Sequence, residues 1–329
     1  MQNGWSFSGT EVQLTDQGAA LSASDDGTIV YRPTNVATST LTWFDRGGRR
    51  LGTLGNPGPY QLVVLSPQGR HVTVVRGETE IDSWDLWDGD LATGIFSRLT
   101  TDVGLDADPA WSPDERWLAF MSTRSGRPAL FLKDLVRGTE EPLVAFDDSL
   151  VLDQWTPDGR FVIARTFGGP KVYAIPLDGD RKPRVLVDTP TGDELHVSPD
   201  GRWVAFNGRQ SGRWEVYVAT FPAFTSRRQI SEAGGVQPLW RADGRELFYL
   251  APDGSMMSAR VDTRSGLTVS PPSRLFSTRL TTNPNLAHYA VTADGQRFLG
   301  IERARSVSSF TFLINRLKPQ SANETRVVQ

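Results

Sequence analysis

A six-residue phrase returns at near-regular intervals along this chain, and it limits the fold more than any other feature. It reads Trp111-Ser112-Pro113-Asp114-Glu115-Arg116, Trp155-Thr156-Pro157-Asp158-Gly159-Arg160 and Val197-Ser198-Pro199-Asp200-Gly201-Arg202. Looser copies are Leu65-Ser66-Pro67-Gln68-Gly69-Arg70, Trp240-Arg241-Ala242-Asp243-Gly244-Arg245 and Val291-Thr292-Ala293-Asp294-Gly295-Gln296, and a seventh is Ala23-Ser24-Asp25-Asp26-Gly27-Thr28. Self-similarity at a fixed period is the signature of a repeat architecture. A residue present in every copy builds the copy, so chemistry is to be sought where the copies differ.

The glycine positions of the phrase (glutamate in one copy) fall at 27, 69, 115, 159, 201, 244 and 295, with steps of 42, 46, 44, 42, 43 and 51. That period suits a four-stranded propeller blade of about 40–50 residues. Helical repeats of this length need long apolar patterns at i, i+3, i+4 and i+7, and the sequence has none. Each unit instead reads as an apolar strand, the phrase, a second strand such as Arg202-Trp203-Val204-Ala205-Phe206, a loop, a third strand such as Glu215-Val216-Tyr217-Val218, and a short fourth strand. Proline presets φ near −65°, aspartate bonds the backbone two residues on, and glycine accepts positive φ. The phrase is therefore a strand-to-strand turn. Asp114, Asp158, Asp200, Asp243 and Asp294 read as turn residues, because one active site has no use for five equally spaced acids.

Seven phrases predict seven inner strands and an all-β, seven-bladed propeller. Fourth-strand candidates also number seven: Val12–Thr15, Arg50–Leu54, Arg98–Thr100, Pro142–Val144, Arg184–Val187, Arg228–Ser231 and Arg274–Phe276. Only two strands follow the last phrase, so the N-terminal strand is expected to supply the outer strand of the last blade and close the ring. The alternative is six blades plus a cap, which requires residues 21–54 not to form a blade. Thr28–Arg32 and Thr40–Phe44 nevertheless read as second and third strands there. The repeats run without a linker, so 1–317 is expected to be one domain, with 318–329 a polar, flexible tail.

Lysine plus arginine number 35 against 38 acidic residues, for a net charge of −3. The basic residues are scattered, which speaks against a nucleic-acid groove. No stretch has the length of a transmembrane helix, and residues 1–20 lack a signal-peptide profile. With no cysteine, disulfides and thiolate ligands are excluded while either redox compartment stays open.

Three segments carry a closer likeness. They are Thr42-Trp43-Phe44-Asp45-Arg46 with Gly48, Arg49 and Leu51; Asp178-Gly179-Asp180-Arg181-Lys182-Pro183; and Trp240 through Gly254. With the phrase, they make the chain resemble the TolB-like, WD-repeat-like β-propellers, and most closely the propeller region attached to bacterial serine/threonine kinases of acidobacterial type. Departures are Gln68 and Glu115, where the phrase has aspartate and glycine, and the Asp-Gly inside Asp85–Leu91, where the family has an apolar third strand. The resemblance implies a binding or sensing module of a bacterial signalling or envelope protein. TolB itself is a periplasmic propeller that engages a lipoprotein. A kinase and a membrane segment in the same polypeptide would lie outside these residues, since no kinase signature is present. The compartment stays open between the bacterial cytoplasm and the extracytoplasmic side of a membrane-anchored parent.

No Gly-x-Ser-x-Gly elbow, His-Glu-x-x-His or EF-hand loop occurs. The residues that vary between copies lie just before each phrase, where an inner strand leaves the mouth of the central channel. Asp106, Asp108, Asp153, Glu194, Gln237 and His288 share this register, with His196 slightly deeper. They are the candidate ligand-binding set, weighed against the plain fact that most channel mouths are wet and polar. Asp106, Asp108 and Glu194 favour a cationic group on a peptide, a protein or a small ligand. No catalysis and no cofactor are expected. The alternative is a metal-dependent propeller lyase or hydrolase with Ca or a transition metal in the channel. His196, His288, Gln237 and Glu194 would form its centre, although the similar oligogalacturonate lyases have more histidines. The acidic pairs Asp25-Asp26, Asp88-Gly89-Asp90, Asp147-Asp148 and Asp178-Gly179-Asp180 read as turns and not as calcium sites.

Overall fold

In a computed structural model of the chain, the described residues are 20–23, 29–32, 38–77, 84–188, 192–264, 266–303 and 311–313. The chain divides into two compact units, one of residues 37–304 and one of residues 1–36 with 305–329. Where a single domain over 1–317 is expected, the chain thus forms two compact units. In the smaller unit β1 (Ala20–Ala23) and β2 (Ile29–Arg32) form an antiparallel pair, and β28 (Thr311–Leu313) adds to the other edge of β2.

The larger unit is a six-bladed propeller of antiparallel sheets. Blade 1 is β5 (Tyr60–Leu65), β6 (His71–Gly77), β7 (Trp84–Asp90) and β8 (Phe96–Arg98). Blade 2 is β9 (Asp106–Trp111), β10 (Trp117–Ser122), β11 (Ala129–Asp134) and β12 (Glu140–Ala145). Blade 3 is β13 (Leu150–Trp155), β14 (Phe161–Thr166), β15 (Lys171–Pro176) and β16 (Arg184–Asp188). Blade 4 is β17 (Asp193–Val197), β18 (Trp203–Gly208), β19 (Glu215–Thr220) and β20 (Arg228–Gln229). Blade 5 is β21 (Val236–Trp240), β22 (Glu246–Leu250), β23 (Ser255–Asp262) and β25 (Ser273–Ser277), with β24 (Thr268–Val269) on the far end of β23. Blade 6 takes β26 (Tyr289–Val291) and β27 (Arg297–Arg303) from one end of the chain and β3 (Ser39–Asp45) and β4 (Arg50–Gly58) from the other.

Six blades, not seven, is the correction to the main expectation. Thr40–Phe44 does form a third strand, but β3 pairs over seven residues with β27, from Ser39↔Arg303 to Asp45↔Arg297, and not with β2. Residues 21–54 therefore make no blade. Ring closure is still shared between the two ends of the chain, with two strands from each end in the last blade. Its outer strand is β4; the expected one, Val12–Thr15, lies outside the described residues. The first copy of the phrase was the misleading one: it has neither the tryptophan nor the proline, and the β1–β2 pair around it belongs to the smaller unit.

The core sits between blades. Six apolar clusters fill the six junctions, for example Leu130, Leu132 and Ile175 with Trp155 between blades 2 and 3, and Phe248, Phe276 and Phe298 between blades 5 and 6. Burial of this kind contributes about 25 cal/mol per Å² of apolar surface, and each blade depends on both neighbours for it.

The phrase behaves as a turn. In blade 4, Ser198 Oγ donates to Asp200 Oδ1 (2.5 Å), which also accepts from Arg202 N–H (3.1 Å), while Ser198 Oγ accepts from Trp203 N–H (3.0 Å). The same bonds recur around Asp114, Asp158 and Asp294. Hydrogen bonds from these neighbours hold all four aspartates below the usual carboxylate range. Two departures from the phrase turn out to be partners. Glu115 takes φ +58°, and its carboxylate accepts from Gln68 N–H (2.6 Å) and from the Arg70 guanidinium (2.8 Å), bridging blades 2 and 1. The unusual Asp-Gly of β7 is not a bulge. The strand pairs residue for residue with β6, and Gly89 leaves room for the Phe96 ring, which a Cβ would meet at 2.5 Å.

Candidate functional site at the channel entrance

Each inner strand starts at one end of the central channel and finishes in the phrase at the other. Near the start, the inner strands of blades 1 to 5 all slip register against their second strands. In blades 2, 4 and 5 two residues there oppose one, and the first of the two, Asp108, Glu194 or Gln237, stands at φ +52°, +51° or +58°. A non-glycine residue in this left-handed region costs roughly 1–2 kcal/mol. Bulges of this sort re-aim side chains and gather at barrel rims and binding sites. Here they turn polar side chains toward the next blade. Asp153 Oδ1 accepts from Leu195 N–H (3.3 Å), Gln154 Oε1 from Val197 N–H (2.6 Å) and Gln237 Oε1 from His288 N–H (3.0 Å).

The seven candidate residues separate into three groups. Asp108, Asp153, Glu194 and His196 gather around Arg165 of β14, which is 2% exposed. Its Nε donates to Asp153 Oδ1 (3.0 Å) and its Nη1 to Asp193 Oδ1 (2.5 Å), while Nη2 has no partner. Four carboxylates thus share one guanidinium. Burial raises Asp108 to about 7 and Asp153 to about 6, against the pull of Arg165. Burial raises Glu194 well above the ordinary range, and Asp153 and Asp193 push it further up. Glu194 is 6% exposed and neither carboxylate oxygen has a hydrogen-bond partner. The Gln237 N–H beside it is donated to Asn207 Oδ1 (3.3 Å). His196 is held neutral, its pKa lowered to about 4 by burial and then by Arg165.

Gln237 and His288 form the second group, in which the Gln237 side chain is saturated. Gln237 Nε2 donates to Asn283 O (2.8 Å) and Thr281 O (3.2 Å), and its main-chain carbonyl oxygen accepts from Tyr289 OH (2.8 Å). Asn207 Nδ2 donates to Pro284 O (3.1 Å). Together these bonds fasten the segment 281–287, which enters blade 6, over blades 4 and 5; Ala287 O then accepts from Val63 N–H of blade 1 (3.1 Å). His288 is 1% exposed, and burial lowers its pKa to about 4. Gln237 is spent on holding this segment, while His288 Nε2 is buried without a hydrogen-bond partner among the described residues. Asp106 is the third case. It is committed across its own blade to Arg124 (3.1 Å), which also pairs with Asp102 (2.6 Å) and Glu140 and lies over the Phe120 and Phe131 rings.

Among the described residues, no three His, Asp or Glu side chains converge closely enough to hold a metal ion. Arg165, Asp193 and Asn207 escaped the sequence reading. The signal was present: six residues after each phrase glycine (or Glu115), the second strands carry Val75, Met121, Arg165, Asn207, Leu250 and Ile301. The arginine and the asparagine in that apolar series mark the two blades whose second strands place a polar side chain at this position.

No family model matches the chain. It is 32% identical over 87 residues to the Tol-Pal system protein TolB of Desulfosudis oleivorans, covering 25% of this chain and 19% of the relative. It is 27% identical over 130 residues to the TolB homologue of Chlorobium luteolum, covering 38% and 29%. A third relative is the uncharacterised peptidase YuxL of Bacillus subtilis, 30% identical over 103 residues, covering 30% and 16%. The matched stretches thus span less than a third of each of these relatives. Among solved structures, a TolB-type protein of Agrobacterium tumefaciens superposes with a TM-score of 0.63 at 19% identity, covering 82% of this chain and 99% of that one. TolB of Acinetobacter baumannii gives 0.56 at 18% identity, covering 91% and 77%. These likenesses show the fold of the larger unit, a β-propeller similar in structure to those of the TolB proteins.

Proposed function

We propose that the chain is a protein-binding propeller module of a bacterial envelope or signalling protein, and that a partner docks over the channel entrance and presents a basic group toward Glu194. The likeness to TolB of the Tol-Pal system supports the envelope context and a protein partner. The three segments similar to kinase-attached propellers extend the proposal to a sensing role. One observation carries the channel part of it. Glu194 is a buried carboxylate with both oxygens unpartnered, in a cluster with more acid than base. A buried polar group without a hydrogen bond costs about 1–3 kcal/mol, and a cation brought by a partner removes that cost.

The test is site-specific photocrosslinking in bacterial cells that express the chain. Val103, 93% exposed, lies on the loop into β9 at the entrance, and Val136, 81% exposed, lies on the turn between β11 and β12 at the opposite end. A photoreactive residue at Val103 is expected to capture one discrete partner and a residue at Val136 none. Glu194→Gln should cut capture at Val103 about tenfold, the equivalent of one charge-assisted hydrogen bond. Capture at Val136 alone, or at neither position, refutes docking at the entrance.

A further inference from the structure

The six blade junctions are not closed alike at the phrase end of the ring. Glu115 bridges blades 1 and 2 through Gln68 N–H and Arg70. Arg181 pairs with Glu141 between blades 2 and 3 (2.9 Å). Between blades 4 and 5, Arg202 Nη2 donates to Thr263 O (2.9 Å), and Thr263 Oγ1 donates to Asp200 Oδ2 (3.1 Å). Between blades 5 and 6, Arg46 donates to Gly295 O (2.9 Å) and pairs with Glu246. Between blades 6 and 1 the Phe96 ring packs on Gly55, where a Cβ would lie 2.6 Å from it. Junction 3–4 has no such bridge among the described residues. Of its inter-blade bonds, Arg165 to Asp193 and Leu195 to Asp153 lie nearer the entrance, and the third, Val197 N–H to Gln154 Oε1, joins the inner strands where the phrase begins. At the phrase end it opens instead into a cleft of about 580 Å³.

The cleft has the composition of a small-molecule site. Phe161, Leu186 and Pro157 line it from blade 3, and Val197, Pro199 and Phe221 from blade 4. Its size falls in the range of about 300–1,000 Å³ typical of ligand pockets, which are mostly apolar with a few polar groups. Its charges are unequal in one respect. Asp158 is bonded to Thr156 and Arg160, and Asp200 to Ser198, Arg202 and Thr263. Arg160 is taken by Asp158 and lies over the Phe161 ring at 5.6 Å. Arg184, on the exposed outer strand β16, has neither a side-chain hydrogen bond nor an ion pair among the described residues. The one uncommitted charge facing this aromatic-lined cleft, among the described residues, is therefore a guanidinium, whose planar fork matches a carboxylate.

We propose that this cleft binds a small planar aromatic monoanion of the aryl carboxylate class, its ring system against Phe161 and Phe221 and its carboxylate on Arg184. The site is separate from the channel entrance, at the other end of the ring, and does not depend on what docks there.

The probe is 2-naphthoate, titrated into the full chain and followed by its fluorescence. Saturable one-to-one binding is expected. Arg184→Gln, at an exposed position that leaves the fold intact, should weaken it about tenfold, as loss of one charge-assisted bond does. Leu186→Trp, which fills the cleft, should abolish it with the thermal midpoint checked alongside. Glu194→Gln should leave it unchanged, which keeps this outcome distinct from docking at the entrance. 2-Naphthylmethylammonium, of the same shape and opposite charge, should not bind. Absence of saturable naphthoate binding, equal affinity for the Arg184→Gln variant, or equal binding of the cation each overturns the proposal.

Discussion

The two halves of the channel entrance use one backbone device for opposite ends. Glu194 and Gln237 both sit at left-handed bulges on inner strands, with φ +51° and +58°, and both are nearly inaccessible. Gln237 spends both polar atoms of its side chain on the segment 281–287 and on His288. Glu194 spends none. Strained residues persist where the surrounding structure over-determines them. For Gln237 the compensation is visible in the ring itself, whereas for Glu194 the ring shows none, and the proposed docking would supply it. The bulge geometry alone therefore does not tell a latch from a binding group; the count of satisfied atoms does.

The largest effect should come from the cation that keeps the acidic half together. Arg165→Met leaves Asp153 and Asp193 buried without their partner, and breaking a buried pair on one side costs about 3–5 kcal/mol. Urea unfolding at pH 8 is expected to show that loss, and to show less of it at pH 5, where the orphaned carboxylates take up protons. A loss equal at both pH values would mean that Arg165 acts by packing and not by charge. Next in size is the latch. Gln237→Ala removes four side-chain hydrogen bonds, one of them long at 3.4 Å to His288 Nδ1, and at about 1 kcal/mol for each of the shorter ones a loss of about 3 kcal/mol is expected. Hydrogen exchange at Asn285 and His288 should speed up in the same variant, since the amide groups that held the segment are gone.

Glu194→Gln should move the other way, and this is where the comparison is most exposed to failure. It keeps the shape and removes a carboxyl group whose charged form the ring does not pair. Replacing unpaired buried charge is expected to raise stability at pH 8 by about 1–2 kcal/mol. The pH dependence follows from the same groups. Glu194, Asp108 (about 7) and Asp153 (about 6) bind protons more tightly in the folded ring than at their ordinary values of 4.5 and 3.8. Their contribution to stability is complete below those ordinary values and is lost as pH rises through the folded ones. His196 and His288 oppose it, because their lowered values of about 4 against 6.5 mean that the unfolded chain takes up protons the ring refuses as pH falls below 6.5. Stability should therefore rise as pH is lowered through 7, where Asp108 takes up its proton and the histidines are still silent, and flatten below 6.5. Glu194→Gln should remove up to about 1.4 kcal/mol per pH unit of the upper slope. A variant as steep as the parent as pH falls through 7 would place that titration on Asp108 instead.

The same contrast explains what was legible in the sequence. The blade, its turn and the shared closure follow from local rules that the phrase states openly, and the five evenly spaced aspartates were rightly turn residues. The number of blades was not legible, because the hairpin strands β1 and β2 obey the same local rules as an inner pair; only the seven-residue register of β3 with β27 decides the matter, and register between distant strands leaves no local trace. The entrance residues were legible as a register, since variable polar positions stand out against a repeat. Their roles were not. Whether Gln237 is saturated and Glu194 is not depends on Asn207, Arg165 and a segment more than 40 residues further on, all of which come together only in the closed ring.

The smallest effect expected tests a strained residue at the other end of the ring. Glu115 is at φ +58° where five phrases in the ring have glycine. Glu115→Gly relieves roughly 1–2 kcal/mol of left-handed strain. It also removes the carboxylate that Gln68 N–H and Arg70 share, and a hydrogen bond to a charged group contributes about 1.5–3 kcal/mol. Arg70 is largely exposed, which takes the pair toward the low end. The two terms nearly cancel, so the single variant should lose less than about 1 kcal/mol. The cancellation itself is what a double-mutant cycle exposes. Arg70→Gln should cost stability while Glu115 is present and nothing once Glu115→Gly has been made, with a coupling of about 0.5–1 kcal/mol that shrinks in high salt. Zero coupling would show that Glu115 is tolerated at its position without its bridge, and that strained bulge and turn residues in this ring need no partner, which would remove the reason for expecting one at Glu194.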